Sequence, residues 1–236
     1  MGLFPARINT GEMSRQRAGT PALSNQEYVE RLTRDGWPAE ILNTAAQAYY
    51  LDDDEKNLIL AHNLVRYDPQ KFARQYVAEY ISYFRGNEFH FPGLNTILIT
   101  HEGVEPAIEL YRELMNTPPM GLLIPSDGLS QAADLHLQYL VRNVARGHDG
   151  QGGMQARIER FGRWQNKIGE NITYGNFSAH DALLFLLIDD KVPDRSHRQI
   201  ILTPGFRLLG VAKAMHPAFP TGFSYVINYA FHFEEH

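Results

Sequence analysis

The chain has 236 residues, 44% of them hydrophobic, and a formal net charge of −5, so it can bury a substantial core. The acidic balance argues against nucleic acid and anionic membranes as partners, because both select for basic surfaces. The absence of cysteine excludes disulfide scaffolds, cysteine-ligated metal sites and thiol catalysis. No stretch approaches the ~20 apolar residues of a transmembrane helix.

The N-terminal residues 1–23 are polar, rich in Gly, Pro, Arg and Ser, and without periodicity, which predicts a flexible arm. This region lacks the charged-then-apolar layout of a signal peptide, which leaves a cytosolic protein and a processed secreted form both open. We expect one domain over residues 24–236, with a helical extension and insert over 24–120 and a core over 121–236.

Helical signals dominate the extension. Asp52 to Asp54 supply N-cap candidates for a helix running to about Arg66, and Asp68 with Pro69 gives the next helix a cap and a first-turn proline. Aromatic residues then recur at every fourth position, which predicts one stripe facing a core. These residues are Phe72, Tyr76, Tyr80 and Phe84.

An insert separates the extension from the core. Residues 86–103 are irregular around a short β-prone run, 96–99, and Glu105-Pro106 then opens a helix that Thr117-Pro118-Pro119 ends. Ser126 is the N-cap candidate of the next and longest helix, for which Gly147 is a natural stop.

The hydrophobic pattern changes in the C-terminal part of the chain, from residue 148 onward. Residues 148–167 predict a loop with one helical turn around Arg157, and a helix follows from Ser178 to Ile188. The remaining apolar runs predict strands. They read QIILTPGF, RLLGVAKAM and FSYVINYAFHF. Helices followed by paired strands predict an α+β fold with an antiparallel sheet.

Three polar residues stand where loops or strand ends present side chains. His148 lies in ARGHDG, Glu170 in GENI and His197 in DRSHR, at separations of 22 and 27 residues. A carboxylate in an apolar setting such as that of Glu170 needs a partner. Imidazoles with a carboxylate suit a divalent cation of the zinc kind that keeps a position open for water or substrate.

Several of these segments appear together in the order typical of one known family. They include HNLVRYDPQKFA, LSQAADLHLQYL, GHDGQGG, GENITYG, DRSHRQIILTPGFRLLGVAKAMH and SYVINYAF. In this respect the chain resembles the CAP superfamily of cysteine-rich secretory, antigen 5 and pathogenesis-related proteins, in its bacterial, cysteine-free branch. The resemblance covers about residues 52–66 and 126–233, and the second histidine motif reads SHR in place of GHR.

The resemblance implies an α–β–α sandwich with a central antiparallel sheet and a cleft that holds two histidines and two acids. Three members of that tetrad map onto His148, Glu170 and His197. The family's fourth acid has no match on the helix after GENI, and Asp189 or Asp190 at the helix end is its candidate replacement. The implied cofactor is a divalent cation, zinc or magnesium.

Three functions remain open from the sequence. The leading one is a secreted or envelope-associated protein that binds a protein, lipid or small-molecule ligand through a cation-holding cleft. The second is a metal-dependent hydrolase of peptide, ester or phosphate bonds with Glu170 as general base. The third is a lipid or sterol carrier with an apolar groove in the insert. Its candidate lining residues are Phe89, Phe91, Leu94 and Ile97.

Other polar residues have structural interpretations. His136 lies on an apolar stripe and predicts a core histidine, whereas His216 closes a strand and is expected at the surface. His62 and Asn63 predict packing and hydrogen bonding. Acids are unfavourable at a helix C-terminus, so Asp189 and Asp190 call for a cationic partner. The candidates are Lys191, Arg195, Arg198 or a metal.

Overall fold

The computed structural model describes residues 23–91, 97–176 and 178–236, so the arm predicted over 1–23 lies outside the described residues except for Leu23. The helices are α1 (Asn25–Arg34), α2 (Ala39–Leu42), α3 (Asp53–Tyr67), α4 (Pro69–Phe72), α5 (Ala78–Ser82), α6 (Glu105–Asn116), α7 (Asp127–Asn143), α8 (Gly153–Ile158), α9 (Ala179–Ile188) and α10 (Ser196–Ile201). A π-helical turn, Ala73–Val77, joins α4 to α5. The strands are β1 (Phe84–Arg85), β2 (Glu88–His90), β3 (Ile97–Ile99), β4 (Ile124–Pro125), β5 (Gly162–Asn176), β6 (Leu208–His216) and β7 (Phe219–Glu235).

The main sheet has the strand order β4-β6-β7-β5, and β1, β2 and β3 form a separate small antiparallel sheet. Strands β5, β7 and β6 pair antiparallel, whereas the two-residue β4 adds a short parallel pair with β6. The predicted α+β class is therefore confirmed.

Side chains alternate between the two faces of the sheet, because successive residues of a strand point to opposite sides. Ile172 and its cross-strand partner Val226 pack with Leu137 of α7. Ile227, one residue further along β7, belongs to the large core that also contains Leu58 of α3 and helix α9. Helices thus cover both faces, as the expected sandwich requires.

Local signals placed the helices of the extension correctly. Asp52 and Glu55 form a capping box at the start of α3, and the Asp68 side chain accepts a hydrogen bond from the Lys71 amide at 2.8 Å. In the aromatic stripe, Phe72 and Tyr80 are buried with Tyr76, as predicted. Phe84, the last member of the stripe, is half-buried and belongs to strand β1.

Three local predictions were wrong. The QIIL run is not a strand but part of helix α10, whose buried residues Arg198 and Ile201 lie three positions apart on one helical face. Residues 162–167, expected as loop, belong to β5, because residues 162–165 pair with the end of β7 and 166 and 167 lie in an irregularity of the same strand. Helix α7 ends at Asn143 with Val144 in the left-handed conformation, before the expected stop at Gly147.

His216 is also placed differently from the expectation, because it is fully buried. Its ring donates from Nε2 to the Ala145 carbonyl at 2.9 Å and accepts at Nδ1 from the Ala218 amide at 3.2 Å. The histidine thereby ties the β6–β7 turn to the segment after α7. Both ring nitrogens are satisfied, which is what allows the burial.

Candidate functional site

Glu170 lies in β5 on the face that α7 and α8 cover, and it is buried. Arg157 of α8 donates from Nη2 to both carboxylate oxygens, at 2.8 Å each. His148 donates from Nδ1 to Oε1 of the same carboxylate at 2.8 Å. The partner that keeps this acid in the core is therefore a guanidinium, joined by one of the two predicted histidines.

Arg157 is itself fully buried, and the loop that carries His148 wraps around it. Its Nη1 donates to the carbonyls of His148 at 3.1 Å and Gly150 at 2.9 Å. The sequence had placed Arg157 in a helical turn without giving it a role at the site. The signal in the sequence was the position of Arg157, a basic residue between the glycine-containing motifs GHDGQGG and GENITYG. The second motif contains Glu170, an acid that needs a partner.

The charges around Glu170 decide its protonation state. Burial alone raises the pKa of this carboxyl group, but the hydrogen bond from His148 and the positive charge of Arg157 outweigh that effect. Its pKa is therefore lowered, and the group is ionised at neutral pH.

The imidazole of His148 has one engaged and one open nitrogen. Nδ1 bonds to Glu170, and within the described residues no hydrogen bond or ion pair involves Nε2. The side chain is 49% exposed, so solvent or a ligand can approach it. The ring is therefore held by the protein at Nδ1, while Nε2 is accessible.

His197 forms a second pair, with Asp189. The His197 ring donates from Nδ1 to Asp189 Oδ1 at 2.6 Å, and the His197 amide donates to Oδ2 at 3.0 Å. Asp189 ends helix α9 in the left-handed conformation with φ of 59°. An acid is unfavourable at a helix C-terminus, but Asp189 is stabilised there because its carboxylate accepts hydrogen bonds from an imidazole and from backbone amides.

Asp190 has a different function from its neighbour. Its two carboxylate oxygens accept from the amides of His101 and Glu102, each at 2.8 Å. This acid therefore ties the insert to the end of α9 and leaves Asp189 as the acid at His197.

Both histidine–carboxylate pairs contact strand β5. Asn171, next to Glu170 but on the opposite face of the strand, donates from its side chain to the His197 carbonyl at 3.1 Å. A small pocket beside β5 contains His197 and Asp189 together with Thr173. Across residues 23–91, 97–176 and 178–236, no three His, Cys, Asp or Glu side chains form a group that could hold a metal ion. The predicted set of His148, Glu170, His197 and Asp189 is thus arranged as two pairs.

The other predicted polar residues are structural. His136 is buried and donates from Nε2 to the Gly147 carbonyl at 2.9 Å, and burial lowers its pKa. His62 is buried between the Leu58 carbonyl and the Tyr229 hydroxyl. Asn63 fixes the backbone of Leu123 through both ends of its amide.

The fold is thus a mixed helix–sheet sandwich with two histidine–carboxylate pairs at β5, an edge strand of the main sheet. A family model described as the cysteine-rich secretory protein family, CAP, matches residues 106–229, which is more than half of the chain. The chain belongs to this family.

Comparison with solved structures finds several matches, among them two proteins of low similarity. An outer surface protein from Borrelia burgdorferi is 16% identical, with a TM-score of 0.37, over 53% of this chain and 92% of that one. An extracellular protein containing a SCP domain from Bacillus anthracis is 21% identical, with a TM-score of 0.34, over 52% of this chain and 37% of that one. A search of curated proteins finds no match. Among the helices of the described residues, none combines the length and apolar character needed to cross a bilayer.

Proposed function

We propose that this CAP-domain protein is a binding protein that takes up a divalent cation through Nε2 of His148 and His197. One observation carries the proposal. Each ring is held at Nδ1 by a buried carboxylate, Glu170 or Asp189, and within the described residues Nε2 of each ring makes no hydrogen bond. A histidine that binds a metal typically donates its other N–H to a carboxylate in this manner.

This arrangement assigns the acids to a supporting role. Both oxygens of Glu170 already bind Arg157, a cation that occupies the position a metal would take against that carboxylate. Asp189 is similarly committed to the ring and amide of His197. The proposed protein ligands are therefore the two imidazoles, and the carboxylates orient them.

The donor set favours zinc over magnesium, because imidazole suits zinc whereas magnesium prefers oxygen ligands. Two protein ligands leave the remaining coordination positions to water or to a bound molecule. A protein or small-molecule ligand that completes the shell is thus the partner class we propose.

Isothermal titration calorimetry with zinc chloride tests the proposal. We expect one zinc per chain, at least a tenfold loss of affinity in His148→Ala and in His197→Ala, and a loss of about 10- to 100-fold in Asp189→Asn. His232→Ala removes an exposed histidine of β7 and serves as the matched control. No zinc uptake by the wild type, or equal affinities in all variants, would overturn the proposal.

The hydrolase alternative is less well supported. A general base acts best with a pKa near the working pH, but the pKa of Glu170 is lowered and its oxygens are bound by Arg157 and His148. An ionised carboxylate held in place by Arg157 and His148 supports a role in orienting the histidine ring, not in proton transfer.

The lipid-carrier alternative is also less well supported, because part of the expected groove lining is buried in the core. Phe89 is fully buried and Phe91 nearly so, and both rings pack against Phe185 of α9. Ile97 is partly exposed on β3, and Leu94 lies outside the described residues. The aromatic residues of the insert therefore belong to the core.

A secreted or envelope location and a single domain over residues 24–236 complete the proposal. Family membership supports the location, and cell fractionation tests it. The domain boundary is supported by one hydrophobic cluster that joins Tyr28 of α1 to Tyr229 of β7.

A further inference from the structure

The segment that carries His197 has an unusual backbone. Asp189, Lys191 and Arg195 all have positive φ angles, of 59°, 64° and 50°, although none of them is glycine. Such conformations are uncommon for residues with a side chain and persist only where surrounding contacts enforce them. The contacts that enforce them here come from the insert and from helix α6 that follows it.

Arg195 makes the first set of contacts. Its guanidinium binds both oxygens of Glu102, at 2.8 and 2.9 Å, and Oε2 of Glu109 at 3.0 and 3.2 Å. Nη1 also donates to the Asp189 carbonyl at 2.9 Å. One side chain therefore joins the insert to both ends of the left-handed stretch.

Arg198 makes the second set, and it is fully buried. Its Nη1 binds Glu109 and Glu113 of α6, each at 2.9 Å. Nε and Nη2 donate to the carbonyls of Leu187 and Ile188 at the end of α9, at 2.6 and 3.1 Å. Arg198 thus holds α6 against the helix end from which Asp189 projects.

Backbone groups add contacts in both directions. The Lys191 amide donates to Glu102 at 2.6 Å, while Asp190 accepts from the amides of His101 and Glu102. The amides of His197 and Arg198 in turn donate to Asp189 Oδ2 at 3.0 and 3.3 Å. The insert therefore fixes the same short backbone on which the His197–Asp189 pair depends.

We infer that Glu102 of the insert and Glu109 and Glu113 of α6 form an acidic clamp that positions His197 for binding. Arg195 and Arg198 are the positioning residues through which the clamp acts. The inference rests on the proposed function only where it concerns the cation, since the positioning of the ring can be measured without metal.

The clamp can be weakened with the least disturbance of the core at Glu102, whose side chain is 35% exposed. Glu109 and Glu113 are 50% and 43% exposed, but their partner Arg198 is fully buried, so replacing both carboxylates also leaves a buried charge without its ion pair. Hydrogen bonds from Arg195 lower the pKa of Glu102, so this carboxylate of the clamp is ionised at neutral pH.

The test compares Glu102→Gln and the double variant Glu109→Gln/Glu113→Gln with Glu105→Gln, an exposed acid at the start of the same helix, as control. Without metal, we expect at least tenfold faster hydrogen exchange at the amides of His197 and Arg198. We also expect the ¹⁵N resonances of the His197 ring to show loss of the single Nδ1–H tautomer. The affinity for zinc should fall at least tenfold, and the control should match the wild type.

Unchanged exchange and unchanged ring resonances in both clamp variants would overturn the inference. A lower melting temperature with unchanged ring resonances would also overturn it, because a merely structural ion-pair network predicts that result. If the wild type takes up no zinc, the proposed function fails while exchange and ring resonances still decide the clamp. Should the double variant not fold, the single variants Glu109→Gln and Glu113→Gln each leave Arg198 one carboxylate and carry the same expectation in direction.

Discussion

At the scale of single residues, the central feature is a carboxylate that the core tolerates because a guanidinium lies beside it. Glu170 and Arg157 are both buried and share two hydrogen bonds of 2.8 Å. Replacing such a pair by apolar residues is often nearly neutral, whereas removing one partner leaves an uncompensated buried charge. The pair is thus a strong constraint on the sequence, whatever its net contribution to stability.

Arg157→Met should therefore lower the free energy of unfolding by about 3–5 kcal/mol at neutral pH. In the variant, Glu170 keeps the hydrogen bond from His148 but loses the positive charge of Arg157, so the pKa of its carboxyl group lies above that of the wild type. The folded variant then binds a proton more readily than the wild type, and the stability difference between them should shrink as pH falls from 7 toward 4.

Urea denaturation at several pH values measures both effects. Arg160→Met, at an exposed position two residues beyond the helix that carries Arg157, is the control and should change stability by no more than about 0.5 kcal/mol. A pH-independent loss in Arg157→Met, or a loss no larger than that of the control, would contradict the assigned pairing.

At the scale of elements, a close backbone contact joins α7 to β6. A Cβ at Gly210 would collide with the backbone of Leu129 and Ser130, so helix and strand approach more closely here than any side chain allows. This contact sets the distance of α7 from the sheet. Because Glu170 lies on the sheet face that α7 covers, the same contact limits the space around this residue.

Gly210→Ala should cost about 3 kcal/mol, the upper part of the range for overpacking, because the obstacle is backbone that cannot change rotamer. Gly121→Ala is the matched control, since its Cβ would meet only the flexible end of the Arg207 side chain, at 3.0 Å. Thermal unfolding of both variants checks the prediction, and equal melting temperatures would disprove it.

At the scale of the whole molecule, the helical extension and the sheet share one hydrophobic cluster. Leu58 of α3, Val77 of the π-helical turn and Leu209 of β6 all belong to it. An extension with its own core could unfold separately, whereas a shared core predicts one cooperative transition. The two tryptophans offer a direct test, because Trp37 lies in the extension and Trp164 in β5.

We expect the variants Trp37→Phe and Trp164→Phe, each with one remaining tryptophan, to show coincident urea midpoints by fluorescence and by far-ultraviolet circular dichroism. The comparison is made within each variant, so a change in overall stability does not affect it. Midpoints that separate in either variant would contradict a single domain over 24–236.

The sequence by itself determined what local rules control. Caps at Asp52, Asp68 and Ser126 predicted helix starts, and β-rich apolar runs predicted β6 and β7, although the same signal was wrong at QIIL. The family motifs also singled out His148, Glu170 and His197. These features depend on neighbours a few residues away along the chain, which a sequence displays directly.

Only the tertiary structure decided which charges meet. The bond from Arg157 to Glu170 spans 13 residues and those from Arg198 to Glu109 and Glu113 span 89 and 85, so no local pattern reveals them. The helical state of α10 was likewise set by packing, since Arg198 and Ile201 are both buried there. The physical reason is that a buried charge must pair with an opposite charge that folding brings within reach, whereas hydrophobic periodicity shows only which face of a helix or strand is apolar.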